Sequence, residues 1–338
     1  MNPKIIQFLN QHFSNTAIET LQLLSGGGSA RKYYRFWSAN QSYILAESDN
    51  LEENRVFIDF TERLNTVGTN YPKVLICNED QSLYVQTDLG DTSLMDVLSR
   101  DSNQAKTYYF EIVSRLAEAQ LKGRTAIDFH QTFSYPKLDK TLILRDLFQF
   151  KFYFLNLLEI NYNQGKMIAD FDSFAVQFDQ LSPSGFVFRD FQSRNIMIKD
   201  QKPYFIDYQG GLFGPIFYDL VSLIWQAKAN LDQNFKEELY HYYLDQVMKC
   251  DTTVKAEDAE RSYQYCVVAR LLQVLGAYGL RGLIERKPHF VESIAYGLEN
   301  LKSITSYSIL DDYNELKHII NLLIAPRTLE HINHKING

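Results

Sequence analysis

The chain has 338 residues, enough for one large domain or for two lobes with a core each. Hydrophobic residues make up 45% and charged residues 22%, the balance of a soluble globular protein, and 22 Tyr with 23 Phe predict an aromatic-rich core. A formal net charge of -7 argues against a general nucleic-acid binder, whose affinity rests on Lys and Arg neutralising phosphates.

Residues 2–12 read as a short helix, with Ile5, Ile6, Phe8 and Leu9 on or near one face. Ile18 to Leu24 reads as a strand and runs into S-G-G-G-S-A-R-K. Tyr33 to Trp37 and Tyr43 to Ala46 read as strands around a turn at Ala39-Asn40-Gln41. Three successive glycines let backbone N–H groups approach an anion without side-chain clash, so Gly26, Gly27, Gly28 and Ser29 are candidates for a phosphate cradle. A flexible hairpin turn is the other reading of the same residues. Glu52 to Val67 is helical by period, with Gly68 at its end. Val74 to Ile76 and Ser82 to Thr87 read as strands, and Asp88 to Ser93 reads as a polar crossing, with the lobe boundary near Asp88 to Asp91. The expected domains are therefore 1–88 and 89–338.

Beyond Leu94 the reading is mostly helical: Ala105 to Gln120, Leu138 to Ile160, Phe171 to Leu181, Tyr218 to Ala229, Phe235 to Met248, Ala256 to Tyr278, Val291 to Leu301 and Asp312 to Leu323. Two short strands, Ile196 to Ile198 and Tyr204 to Ile206, flank a turn at Asp200 to Pro203. Cys77, Cys250 and Cys266 are scattered, without metal-ligand spacing, and suggest a reducing compartment. The first residues lack the apolar run of a signal peptide, and no apolar run reaches membrane-spanning length. The expectation is a cytoplasmic enzyme with no membrane and no nucleic-acid partner; the oligomeric state is not legible.

The chemistry concentrates between Gly185 and Asp219. Asp190, Asn195 and Asp207 supply an acidic base, an amide oxygen and a second carboxylate. Those groups activate a hydroxyl and hold Mg²⁺ against a nucleotide. The alternative is that both aspartates are turn or cap residues of a hairpin. Against it, Asp207 follows Tyr204-Phe205-Ile206, an apolar run expected to bury it, and a buried carboxylate needs a cation or hydrogen bonds.

F-R-D-F-Q-S-R-N-I-M, followed by Y-F-I-D-Y-Q-G-G and G-P-I-F-Y-D-L-V-S-L, resembles the catalytic and metal-binding motifs of the aminoglycoside phosphotransferase and choline kinase branch of the protein-kinase-like fold. The glycine run and Y-V-Q-T-D-L-G-D-T-S-L-M-D-V-L extend the likeness over roughly residues 20 to 300. Within the family, R-D-F-Q-S-R-N, I-D-Y-Q-G-G and V-A-R-L-L-Q-V-L-G-A-Y resemble the cell-wall sugar kinases acting on the anomeric hydroxyl of N-acetylmuramate and N-acetylglucosamine. The resemblance implies an α+β, two-lobed fold, with a small five-stranded antiparallel N-lobe and a larger helical C-lobe. It implies ATP and Mg²⁺ as cofactors, Asp190 acting on the substrate hydroxyl, and Asn195 and Asp207 holding metal. Gly26, Gly27, Gly28, Ser29 and Arg31 would meet the phosphates, and backbone groups near Thr87 and Leu89 the adenine. The partner is a small sugar, or an amine if the chain is an aminoglycoside or choline-like kinase. A nucleotide-binding pseudokinase serving as an interaction module is the alternative from another class.

Two departures bear on this. Phe188 stands where many relatives have His two residues before the catalytic Asp, and the third strand carries no lysine, with Ala46 or Glu47 in its place. The nearest replacement cations are Arg31, Lys32 and Arg35. Glu52 and Glu53 read foremost as a solvated first helical turn. Gln192, Arg194, Gln209, Arg270 and Gln273 are candidate substrate residues, with Arg194 equally a brace for Asp190 and Arg270 equally a buried structural arginine; Asp219 reads by default as a helix N-cap, while the resemblance implies that an Asp near it also braces the catalytic loop.

Overall fold

In the computed structural model, the described residues are 2–13, 19–24, 31–68 and 70–337. The cradle residues Gly26, Gly27, Gly28 and Ser29 lie outside them, as does Ile18 of the first expected strand. In chain order the elements are α1 (Pro3–His12), β1 (Gln22–Leu23), β2 (Lys32–Ser38), β3 (Gln41–Glu47), α2 (Leu51–Val67), β4 (Val74–Cys77) and β5 (Leu83–Thr87). Then come α3 (Leu94–Arg100), α4 (Ser102–Ala126), α5 (Lys140–Phe150), α6 (Gln164–Phe178), β6 (Ser184–Val187), β7 (Ile196–Lys199), β8 (Lys202–Phe205) and β9 (Leu212–Pro215). The chain ends through α7 (Phe217–Ile224), α8 (Gln233–Cys250), α9 (Ala256–Tyr278), α10 (Pro288–Ser303), α11 (Asn314–Ile324) and α12 (Pro326–Asn337).

The chain divides into two compact units. Unit 1 comprises residues 1–111, 122–136 and 193–211; unit 2 comprises 112–121, 137–192 and 212–338. The expected N-lobe, 1–88, falls within unit 1, which also takes in α3 and the β7–β8 hairpin.

Unit 1 is built on an antiparallel sheet of order β1-β2-β3-β5-β4. The β2–β3 hairpin closes through Ala39 and Asn40, both at positive φ, which matches the strong twist of a two-residue turn. Ile5, Phe8 and Leu9 of α1 pack against Phe36, Leu45, Leu83 and Val85 of the sheet. On α2, Phe57 stacks between Tyr84 and Tyr208, at 5.2 and 5.3 Å. The β7–β8 hairpin is tied into the unit by backbone bonds from Ile198 N–H to Thr92 and from Phe205 N–H to Asn70. The Asn70 side chain donates to Pro203 O at 2.6 Å, and Lys199 Nζ to Asp88 O at 2.6 Å.

Unit 2 is helical around α9, which packs against α5, α7 and α10. Its strands β6 and β9 pair in a two-stranded antiparallel ladder that the sequence reading passed over. The cause is local composition: S-G-F-V and L-F-G-P carry Gly and Pro and are only four residues each. The helix expected over 138–160 is α5 continued by a π-helical turn at Lys151–Leu155, and α12 was not foreseen. With its π-helical extension to Ile284, α9 is long and apolar enough to cross a membrane, which corrects the expectation that no run is. More than half of that window is buried inside the protein, as in the core helix of a soluble fold.

At the end of α9 backbones nearly touch. A Cβ on Gly279 would stand 1.8 Å from Tyr153 O, and one on Gly276 2.7 Å from Phe150 N. Neither neighbour is a flexible side chain, so relief requires helix displacement. Gly279→Ala is expected to cost about 1–3 kcal/mol through overpacking, read as a lower urea midpoint, whereas Ala277→Gly beside it should show only the smaller loss of helix propensity, about 1 kcal/mol.

Candidate active site

Within unit 1, a pocket of about 520 Å³ is lined by Arg31, Thr87, Leu89, Asn195, Asp207 and Gln209. Its polar groups form one connected set. Arg31 precedes β2 and is buried, with its guanidinium 3.2 Å from Glu53 Oε1 on the first turn of α2. It also donates to Tyr33 Oη at 3.2 Å and lies over the Phe57 ring at 5.8 Å. Glu53 is thus half of an ion pair rather than part of a solvated first turn; the sequence default fails because the pairing spans 22 residues of chain and two elements. Of the other cations, Lys32 points to solvent, 3.9 Å from Glu47. Arg35 is engaged elsewhere. It binds both carboxylate oxygens of Asp88, at 2.7 and 3.1 Å, and both of Asp91, at 2.8 Å each. Burial pushes the Asp88 carboxyl up, but the Arg35 and Gly90 N–H hydrogen bonds outweigh it and hold it below the ordinary value.

Asn195 ends a 3-10 turn just before β7, and Asp207 follows β8 by two residues. Asp207 is exposed, not buried as its apolar approach suggested. Its φ of 63° is the reason: the left-handed residue breaks the strand alternation and swings the carboxylate away from the core. Asn195 Nδ2 donates to Asp207 Oδ2 at 3.1 Å, and Gln209 Nε2 to Asp207 Oδ1 at 3.0 Å. Gln209 Nε2 also reaches Glu53 Oε1 at 3.2 Å. Gln209 Oε1 is buried and has no hydrogen-bond partner among the described residues. A carboxylate and an amide oxygen belong to the donor set that a hard divalent cation takes, and the Asn195–Asp207 pair fits one. Arg194, exposed, and Met197, half-buried, line the same pocket.

Within unit 2, Asp190 presents a side chain that is 54% exposed, with Arg270 Nη2 3.5 Å from its Oδ1. Arg270, buried on α9, also donates to Tyr218 Oη at 3.4 Å and stacks over that ring. Gln273, one turn away, is half-buried, with an Oε1 that lacks a hydrogen-bond partner among the described residues. Gln192 is half-buried. The loop carrying Asp190 is held from beneath by Asp219. Its Oδ2 accepts from Phe188 N–H at 2.7 Å and from Gln120 Nε2 at 2.9 Å, and its Oδ1 from Arg189 N–H at 2.9 Å. Arg189 at φ 75° turns its N–H towards the carboxylate. Asp219 is therefore a fully buried brace inside the first turn of α7, not the N-cap, which is Ile216. Phe188 packs between Phe186 and Phe191, at 4.8 and 5.1 Å, and fills its position as a core ring.

A model of the phosphotransferase enzyme family, APH, matches residues 20–254. The chain belongs to this family. Membership makes it an enzyme, a small-molecule kinase. It is 25% identical over 262 residues to an N-acetylmuramate/N-acetylglucosamine kinase of Neisseria meningitidis, covering 75% of each chain. A protein of the same description from Pseudomonas putida is 22% identical over 281 residues, covering 81% of this chain and 80% of that one. Among solved structures, the amicoumacin kinase in complex with AMP-PNP, Ca²⁺ and its substrate matches with a TM-score of 0.61 at 11% identity, over 89% of this chain and 93% of that one. The fold is thus kinase-like, an antiparallel sheet followed by a mostly helical remainder. As a phosphotransferase, the chain keeps its two catalytic-loop neighbours of Asp190 on one buried carboxylate. The default N-cap reading of Asp219 gives way to the other one offered for it, an Asp that braces the loop of Asp190.

Burial pushes the Asp219 carboxyl up to about 7 from an ordinary 3.8, with the Phe188 and Arg189 N–H groups, Gln120 and Arg270 all pulling it back down. The folded chain then holds this proton more tightly than the unfolded chain. That contribution to stability is complete below the unfolded value and disappears as the pH rises through about 7. Asp219→Asn abolishes the titration. Urea midpoints taken from about pH 5 to about pH 8 should fall more steeply in the parent protein than in this variant; parallel profiles would contradict the assignment.

Proposed function

We propose that this phosphotransferase is an ATP- and Mg²⁺-dependent kinase of the anomeric hydroxyl of an amino sugar such as N-acetylmuramate or N-acetylglucosamine, working in the cytoplasm. The observation that carries the phosphoryl-transfer part is that Arg31, paired with Glu53 of α2, lines one pocket with the Asn195–Asp207 pair. A cation paired with a helix glutamate stands where the third strand offers none. Buried Ala46 occupies that strand position, and Glu47 is taken up by Asn2 and Tyr34. The relatives named as N-acetylmuramate/N-acetylglucosamine kinases support the sugar.

Asp190 accepts the proton of the attacking hydroxyl. Arg270 Nη2, 3.5 Å from its Oδ1, helps to orient the carboxylate towards the substrate hydroxyl. Asn195 and Asp207 hold the divalent cation, which when bound neutralises charge on the transferred phosphoryl group. Arg31 provides the guanidinium for the nucleotide phosphates, with Glu53 and Tyr33 setting its orientation. Backbone groups near Thr87 and Leu89, which line the pocket, are the proposed partners of the base. Gly26, Gly27, Gly28 and Ser29 cover the phosphates. Gln192, Arg194 and Gln273 are proposed contacts for sugar hydroxyls.

The test is product mass with ATP, Mg²⁺ and a panel of N-acetylated amino sugars, aminoglycosides and choline, followed by phosphorus NMR. Phosphate is expected on the anomeric oxygen of an amino sugar; transfer to an amine substrate alone would overturn the sugar reading. Asp190→Asn should abolish turnover and leave ATP affinity within about twofold, since a general base is used only in the transition state. Arg31→Met should raise the KM for ATP by about tenfold or more, the worth of a charge-assisted hydrogen bond, with partial recovery in Arg31→Lys; an unchanged KM would show that the phosphates are held elsewhere.

A further inference from the structure

We infer that Gln209 is a positioning residue that couples the cation carboxylate Asp207 to the Arg31–Glu53 pair. This rests on the reading of Asp207 as the cation ligand. Gln209 touches both the Asp207 carboxylate of the pocket and the Glu53 carboxylate of α2. Its Nε2 lies 3.0 Å from Asp207 Oδ1 and 3.2 Å from Glu53 Oε1. Glu53 Oε1 is in turn 3.2 Å from Arg31, and Asp207 Oδ2 receives Asn195 Nδ2 at 3.1 Å. The result is a line of contacts from the start of β2, through α2, to the β7–β8 hairpin.

The amide orientation is fixed by charge. Turning it over would set Oε1 against two carboxylates, so the NH₂ must face them. One neutral group with two hydrogens then separates two negative charges and satisfies both. A glutamate here would add a third negative charge, and an apolar residue would leave Glu53 and Asp207 without their shared donor. The backbone is anchored for the task. Tyr208, the residue between Asp207 and Gln209, is fully buried, stacks on Phe57 at 5.3 Å and shares a 2.7 Å hydrogen bond with Thr61. Both partners lie on α2. A shift of α2 therefore moves Glu53 and the 207–209 backbone together, and Gln209 keeps the Asp207 carboxylate in step with them. Cation affinity becomes a function of how α2 is seated, and the arginine that serves the nucleotide reads the same helix.

The proposal is tested by Mn²⁺ titration followed by electron paramagnetic resonance, with a non-hydrolysable ATP analogue present, and by melting in EDTA. Gln209→Leu is expected to raise the Mn²⁺ dissociation constant by about tenfold, the usual effect of removing a group that orients a metal ligand, while the EDTA melting temperature stays unchanged. Glu53→Gln should weaken Mn²⁺ in the same direction, and the double variant should lose less than the product of the two single effects, since both break one line of contacts. Mn²⁺ binding within twofold of the parent in Gln209→Leu, a multiplicative double variant, or a loss explained by a fallen EDTA melting temperature would each overturn the coupling. Asp207→Ala separates the two readings. If it abolishes Mn²⁺ binding while Gln209→Leu does not weaken it, the coupling alone fails; if it leaves Mn²⁺ binding intact, the cation assignment fails and the coupling with it.

Discussion

The Asp219 carboxylate is the constraint on which the presentation of Asp190 depends. It is fully buried, yet surrounded by donors: two backbone N–H groups, from Phe188 and Arg189, and the Gln120 amide. Two successive N–H groups converge on one carboxylate because Arg189 takes a left-handed φ of 75°. The strain of that residue is offset by hydrogen bonds to a charged acceptor, which are stronger than neutral ones. The network continues outward. Tyr243 donates to Gln120 Oε1, and Gln120 Nε2 also donates to Ile216 O, at the start of the helix that carries Asp219. Loop, helix start and the middle of α4 are thereby held as one polar cluster inside an apolar unit. Such clusters specify one arrangement because a half-satisfied alternative costs more than an apolar one.

Unit 1 solves a different problem. The third strand of the sheet has no lysine, and the cation enters instead from the residue before β2. The guanidinium is planar and always charged, so it tolerates burial beside Phe57 and Tyr33 better than an ammonium would.

Much of the fold was readable because the periodicities are clean. The strand pair around Ala39 and Asn40 and the helix from Ala256 to Tyr278 stand where the pattern puts them. Where the reading failed, the reason is non-local or conformational. Glu53 looked like an ordinary first-turn acid because its partner is supplied by tertiary folding. Asp219 looked like a cap because an acid opening an apolar helix usually is one. Asp207 looked buried because the apolar run Tyr204-Phe205-Ile206 leads into it, and a single positive φ turns its side chain out. Strands β6 and β9 are short and hold Gly and Pro, so neither composition nor length announces them. The spacing of Asp190, Asn195 and Asp207 needed no tertiary knowledge, since those residues sit within one short stretch of chain.

The Arg35 clamp has a consequence in ionic strength. Its two arms differ in exposure: the Asp88 side chain is 5% exposed and the Asp91 side chain 77%. Dissolved ions screen exposed charges and leave buried pairs largely untouched. High salt therefore loosens the Asp91 end of the 88–91 segment and spares the Asp88 end. Backbone groups at 87–89 keep their geometry in brine while the residues just beyond them gain freedom, so the segment behaves as a strap with one fixed and one releasable end.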